Sequence, residues 1–169
     1  MFKQLQKIGK AFMLPIAILP AAGLLLGIGG ALSNPNTVQA YPFLNISWLQ
    51  GIFSIMSSAG DVVFSNLALI MCIGLSVGLA KKDKGTAALA AVFGFLVMNQ
   101  TISSLLALGA TQLGVLTPDN VGKYGTYVTT NLGIFTLNMS VFGGIITGLV
   151  TAALHNKFHT IQMPPVLGF

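Results

Sequence analysis

Val62-Val-Phe-Ser-Asn-Leu-Ala-Leu-Ile-Met-Cys-Ile-Gly-Leu-Ser-Val-Gly-Leu-Ala80, then Lys81-Lys-Asp-Lys84, then Gly85-Thr-Ala-Ala-Leu-Ala-Ala-Val-Phe-Gly-Phe-Leu-Val-Met-Asn-Gln-Thr-Ile-Ser-Ser-Leu-Leu-Ala-Leu108 decide the fold class. Neither long run holds a charged residue, and each approaches or exceeds the roughly 20 apolar residues that a helix needs to cross a bilayer. Unpaired backbone groups are too costly in lipid, so each run is a helix or part of a protein-covered re-entrant turn. A closed barrel is excluded because neither run alternates with period two. Working outward, Ala11 to Leu32 and Asn131 to Leu154 are two further runs without charge. The expectation is an all-α membrane protein, a polytopic transmembrane helix bundle of about four spans with short interfacial helices, in one membrane domain over residues 1–169.

Composition agrees. Hydrophobic residues make up 54% of the chain and charged residues only 7%, where a soluble domain carries roughly 25% charged residues. The net charge of +5 comes from eight lysines and three aspartates, with no arginine and no glutamate. Nucleic-acid binding would call for a basic face with arginine forks. Here the lysines gather at the ends of apolar runs instead. Lys3, Lys7 and Lys10 precede the first run; Lys81, Lys82 and Lys84 separate the second and third; Lys157 follows the fourth; only Lys123 has the other parity. The positive-inside rule therefore predicts cytoplasmic N- and C-termini, with loops 33–60 and 109–130 outside.

Phe2, Leu5, Ile8 and Phe12 recur at helical spacing with lysines between them, so residues 1–10 read as an amphipathic segment on the inner leaflet. The run that follows is too long for a signal peptide, whose apolar region is about 7 to 15 residues. Pro15 and Pro20 each remove a backbone donor and bend the first span. Ser47 to Ser58 is apolar but short. Gly60-Asp61 is expected to break it from the second span, leaving an interfacial or re-entrant helix anchored by Trp48; a longer tilted second span is the alternative.

The chemical inventory is small. Three aspartates (Asp61, Asp83, Asp119) and no glutamate offer no pair for acid–base catalysis. His155 and His159 share a helix face but lack a third ligand type and read as interfacial residues, so no metal or cofactor is expected. Cys72 lies within an apolar run and reads as a small filler. Gly23 and Gly27, Gly74 and Gly78, and Gly144 and Gly148 are spaced four apart, the pattern that lets membrane helices approach closely. Asn66, Asn99, Gln100, Asn131 and Asn138 sit inside apolar runs, where an amide must find another helix or a polar pathway. Uncharged amides suit a neutral solute, which makes Asn66, Asn99, Gln100 and Asn138 candidate substrate contacts.

The wording of the chain adds a resemblance. Leu5-Gln-Lys-Ile-Gly-Lys-Ala-Phe-Met-Leu-Pro-Ile-Ala-Ile-Leu-Pro-Ala-Ala-Gly-Leu-Leu-Leu-Gly-Ile-Gly29 closely resembles the start of glucose, N-acetylglucosamine and maltose-type membrane subunits (EIIC) of the phosphotransferase system. Phe64 to Ile70, Gly85 to Ala91, Val141 to Ile146, Asn156 to His159 and Pro164 to Phe169 resemble the same subunits in the same order. The resemblance implies a subunit of the bacterial cell membrane that passes a sugar inward while a partner EIIB, charged by EIIA, phosphorylates it. In that family the helical subunit is roughly twice this long, and its sugar-site histidine and glutamate and the phosphocysteine domain lie beyond the matching half. The resemblance therefore implies the N-terminal half of an EIIC domain. Such a truncated or split subunit would be inactive alone, self-associate as a homodimer, and await its C-terminal half. The competing reading is a small stand-alone oligomeric pore or adapter.

Overall fold

In the computed structural model, residues 2–113 and 126–161 are described. Asp119, Lys123, most of the loop 109–130 and the Pro164–Phe169 motif lie outside them. Helix α1 (Phe2–Ile16) runs from the amphipathic segment straight into the first apolar run. Two turn residues separate it from α2 (Leu19–Ser33), and Pro20 sits in the first turn of α2, where its missing N–H costs nothing. Despite this turn, Gln6–Ser33 forms one apolar helical stretch of 28 residues, long enough to cross a bilayer.

A short helix α3 (Pro35–Ala40) and a 3₁₀ turn (Pro42–Leu44) lead into α4 (Ser47–Ser65). Gln50 ties this connection down, its amide donating to the carbonyls of Leu44 at 2.8 Å and Leu32 at 3.2 Å. The expected break at Gly60-Asp61 is absent. α4 continues through it and ends at Asn66, where the chain bends by 59° into α5 (Leu67–Leu79). Gly60 marks a contact rather than an end: a Cβ there would stand 2.6 Å from the carbonyl oxygen of Ala22 in α2. Residues 47–58 are thus the first part of a longer, bent helix, which is closer to the tilted-span alternative.

After the Lys81–Asp83 loop, α6 (Lys84–Leu113) is the longest helix, and 26 of its residues, Lys84–Gly109, are apolar enough to cross. The fourth run departs from expectation. An antiparallel hairpin of β1 (Val128–Asn131) and β2 (Ile134–Leu137) crosses its start, and only then does α7 (Ser140–Phe158) begin. At 19 residues α7 is about 28 Å long. Among the described residues two helices are therefore long and apolar enough to span by themselves, a third if α4 and α5 count as one bent span, while the fourth run begins in a hairpin and continues as a shorter helix.

The hairpin is legible in retrospect. Val128-Thr-Thr and Ile134-Phe-Thr are β-branched or aromatic, and Leu132 and Gly133 take φ of +50° and +82° in the two-residue turn. Small residues draw the helices together. In α5, Cys72 and Ser76 face Ala87 and Ala91 of α6, and the Ser76 hydroxyl donates to the Ala87 carbonyl at 3.0 Å. Pro15 of α1 is buried against Gly74, and Ala11 against Gly78, where added Cβ atoms would approach to 2.6 and 2.5 Å. Gly144 and Gly148 of α7 lie over the carbonyls of Ala68 and Cys72. Gly23 and Gly27 make no such approach, whereas Gly29, against the Ser57 backbone, does. Gly144 and Gly148 thus pack α7 against α5 within the bundle.

Candidate functional site

The lysine-bearing end is held by amide and imidazole bonds to backbone. Asn156 of α7 accepts from the Lys81 N–H at 2.8 Å and donates to the Leu79 carbonyl at 3.0 Å. His155 Nε2 lies 3.0 Å from the Lys82 carbonyl, and since a carbonyl only accepts, that nitrogen carries the proton. The His155 and His159 rings stack at 5.7 Å, and His159 Nδ1 faces the Asn156 carbonyl at 3.2 Å, so each ring has one nitrogen occupied by backbone. Lys7, Lys81 and Asn156 line one groove, which puts the lysines of the N-terminus and of the α5–α6 loop at the same end.

The polar residues inside the apolar runs collect elsewhere, around the bend between α4 and α5. α5 rises about 20 Å from the lysine loop to Asn66, and Asn99 stands about 22 Å along α6 from Lys84, so the two are at similar depth. The hairpin brings Asn131 to the same level, where its amide donates to Asn99 Oδ1 at 3.5 Å. Asn99 is buried and also donates to the Phe95 carbonyl at 2.8 Å. The Asn66 amide turns back to the Val62 carbonyl at 2.9 Å and leaves the first turn of α5 without a side-chain cap.

A cleft of about 260 Å³ opens between this bend, the hairpin and the start of α7, lined by Phe64, Ser65, Thr129, Asn131, Asn138 and Ser140 among others. Among the described residues, no lysine, aspartate or histidine lines it. A smaller hollow beside it is shared by Asn66, Phe95 and the hairpin tip. Register places Thr136 opposite Thr129, on one face of the hairpin. Thr136 is fully buried, and its hydroxyl has no hydrogen-bond partner among the described residues. Non-helical backbone two-thirds of the way across a ~30 Å core is tolerated only where protein covers it or water reaches it. Bend and hairpin face each other across the cleft.

Of the residues singled out in the sequence, the fold brings Asn66 and Asn138 to this cleft or the hollow beside it. Asn99 reaches it through Asn131. Gln100 is exposed on another face of α6. Thr129, Thr136 and Ser65 escape a reading of the sequence because hydroxyls in an apolar run carry no pattern of their own; the β-branched character of 128–136 is the signal that could have found two of them.

Comparison with known sequences gives this geometry its context. The family described as "Phosphotransferase system, EIIC" matches residues 9–169. The chain is 45% identical over its whole length to the PTS system glucose-specific EIICBA component of Staphylococcus saprophyticus, and 44% identical over 99% of its length to that of Staphylococcus carnosus. It spans about a quarter of the length of these relatives, 24% in both cases. Helical bundle, lysine-flanked spans and opening motif agree with the match, and the chain belongs to the EIIC family of the phosphotransferase system, whose members are polytopic membrane proteins.

Proposed function

We propose that this chain is a membrane part of a glucose-type sugar permease of the bacterial cell membrane, working with EIIB and EIIA phosphotransferase components. The observation that carries this reading is the match over residues 9–169 together with 45% identity to a glucose-specific relative. The uncharged polar cleft supports a neutral solute. The lysine partition supports an N-terminus and an α5–α6 loop in the cytoplasm, where the phosphorylating partners reside. Helices α1 to α7 supply scaffold. The sugar-site histidine and glutamate and the phosphocysteine that the resemblance implies come from further polypeptide, the C-terminal half of EIIC included. On this reading the 169 residues by themselves neither transport nor phosphorylate sugar, and homodimerisation uses the lipid-facing surface, where residues such as Leu24, Phe93 and Phe142 are exposed.

Uptake of labelled glucose tests this in cells that lack their own glucose permease but keep the general phosphotransferase proteins. Co-expression with the remainder of a glucose-specific relative should restore accumulation of phosphorylated sugar, and the chain alone should not. Accumulation from the chain alone above the empty-vector level would refute the scaffold reading; none from the pair would refute the permease reading.

A further inference from the structure

We propose that the groove between α1, the end of α5 and α7 is a binding site for one anionic phospholipid, its phosphate between Lys7 and Lys81 and an acyl chain along α7. The inference needs only that the chain is a membrane protein, and it stands apart from the sugar-permease reading.

The groove holds about 320 Å³ and is polar at one end and apolar at the other. Among the described residues, Lys7 of α1 and Lys81 of the α5–α6 loop are the charged residues that line it, and both are exposed. Asp83, exposed in the same loop, is not part of the lining. Leu79, Leu149, Ala152 and Ala153 form the walls. From Asn156 to Leu149 the lining extends about 10 Å along α7, away from the lysines.

The fold holds this shape from both sides. Asn156 accepts from the Lys81 N–H at 2.8 Å and donates to the Leu79 carbonyl at 3.0 Å, which fixes the loop carrying Lys81 against α7. On the other side α1 is drawn onto α5 where Ala11, one turn beyond Lys7, meets Gly78. The backbones that carry the two ammonium groups are therefore placed before any ligand arrives.

Charge and depth together select the occupant. Two lysines without a lining carboxylate call for an anion, and an ammonium is a compact charge suited to phosphate. A free phosphate or a soluble acidic protein could meet the lysines, but neither would cover the apolar walls deeper in the membrane. Left uncovered, those walls would forfeit their packing contacts. A zwitterionic phospholipid would cover them but bring no net charge to the lysines. An anionic phospholipid does both, and basic pockets between membrane helices bind such headgroups.

The test is tryptophan quenching in vesicles. Leu149→Trp is made in the full chain on a Trp48→Phe background, which leaves one tryptophan, at the apolar end of the groove. The chain is reconstituted in dioleoylphosphatidylcholine with rising fractions of phosphatidylglycerol or phosphatidylcholine that carry brominated acyl chains. Attraction to an anionic lipid strengthens about fivefold per nearby lysine, so phosphatidylglycerol should bind about 25-fold more tightly than phosphatidylcholine. Lys7→Gln and Lys81→Gln should each lower that preference about fivefold, and Lys84→Gln, at the same end but outside the lining, less than about twofold. Ala153→Phe fills the apolar part from an exposed position, leaves every lysine in place, and should remove the preference. Ile8→Trp, also in the lining, gives the same reading where Leu149→Trp fails to insert. Equal quenching by the two lipids overturns the site. So does a loss in Lys84→Gln as large as in Lys81→Gln, which would mean diffuse surface charge. Quenching by neither lipid would show the groove covered by protein and overturns it as well.

Discussion

A single methyl group at Gly144 should loosen the whole centre of this bundle. At Gly148 an added Cβ would stand 2.7 Å from the Cys72 carbonyl oxygen, against 3.4 Å or more for ordinary contact, so the helices would have to part by about 0.7 Å. The Ala68 carbonyl is closer still to Gly144, and both obstacles are helix backbone, which has no alternative rotamer to adopt. A gap of 0.5–1 Å forfeits roughly a quarter to a half of the dispersion well of each contact, and overpacking costs about 1–3 kcal/mol. We therefore expect Gly144→Ala to cost about 2 kcal/mol. Cys72 is a built-in reporter. It is fully buried between α5, α6 and α7, and its thiol faces the Ala91 carbonyl at 3.4 Å. Maleimide should reach it only when α7 or α6 lifts away, so a loss of 2 kcal/mol should raise the labelling rate about 30-fold, since 1.4 kcal/mol is a factor of ten. Gly27→Ala, with nothing within 4 Å of the new Cβ, should change the rate less than about threefold. The chain should respond alike at every concentration, because the contact is internal. Parental labelling of Gly144→Ala, or an equal effect of Gly27→Ala, would refute the close-approach argument.

Asn156→Leu removes both bonds to the α5 end and should speed hydrogen exchange at the Lys81 amide about tenfold; an unchanged amide would mean the clamp is incidental. Asn99→Leu strips Asn131 of its partner, and since such interhelical bonds average about 0.6 kcal/mol, it should loosen the hairpin without unfolding the bundle, read as faster exchange of β1 and β2 amides with α5 unaffected. Lys82→Cys on the Cys72→Ser background should label from the cytoplasmic side of oriented membranes and Tyr127→Cys from the other. The reverse pattern would invert the orientation drawn from the lysines.

Membrane class, the lysine-bearing end and family kinship were all legible in the sequence, because each depends on summed transfer energies or on wording, and neither needs a neighbour. An uncharged run such as Gly85–Leu108 must be helical in lipid whatever surrounds it. The sequence also singled out amides and glycines in apolar runs. Their partners were not legible. Gly60 reads as a helix end because a glycine lacks helix propensity, yet it lies inside α4, where the missing side chain admits the α2 backbone. The bend falls instead at Asn66, whose amide turns back to the Val62 carbonyl. Residues 131–137 read as the start of a span because a short apolar run does not distinguish strand from helix. The hairpin packs on α6, and only that tertiary neighbourhood brings Asn131 to Asn99. Thr129 and Ser65 line one cleft for the same reason. Hydropathy adds residue by residue along the chain, whereas a cleft is made of side chains far apart in sequence whose meeting depends on how helices and hairpin stack.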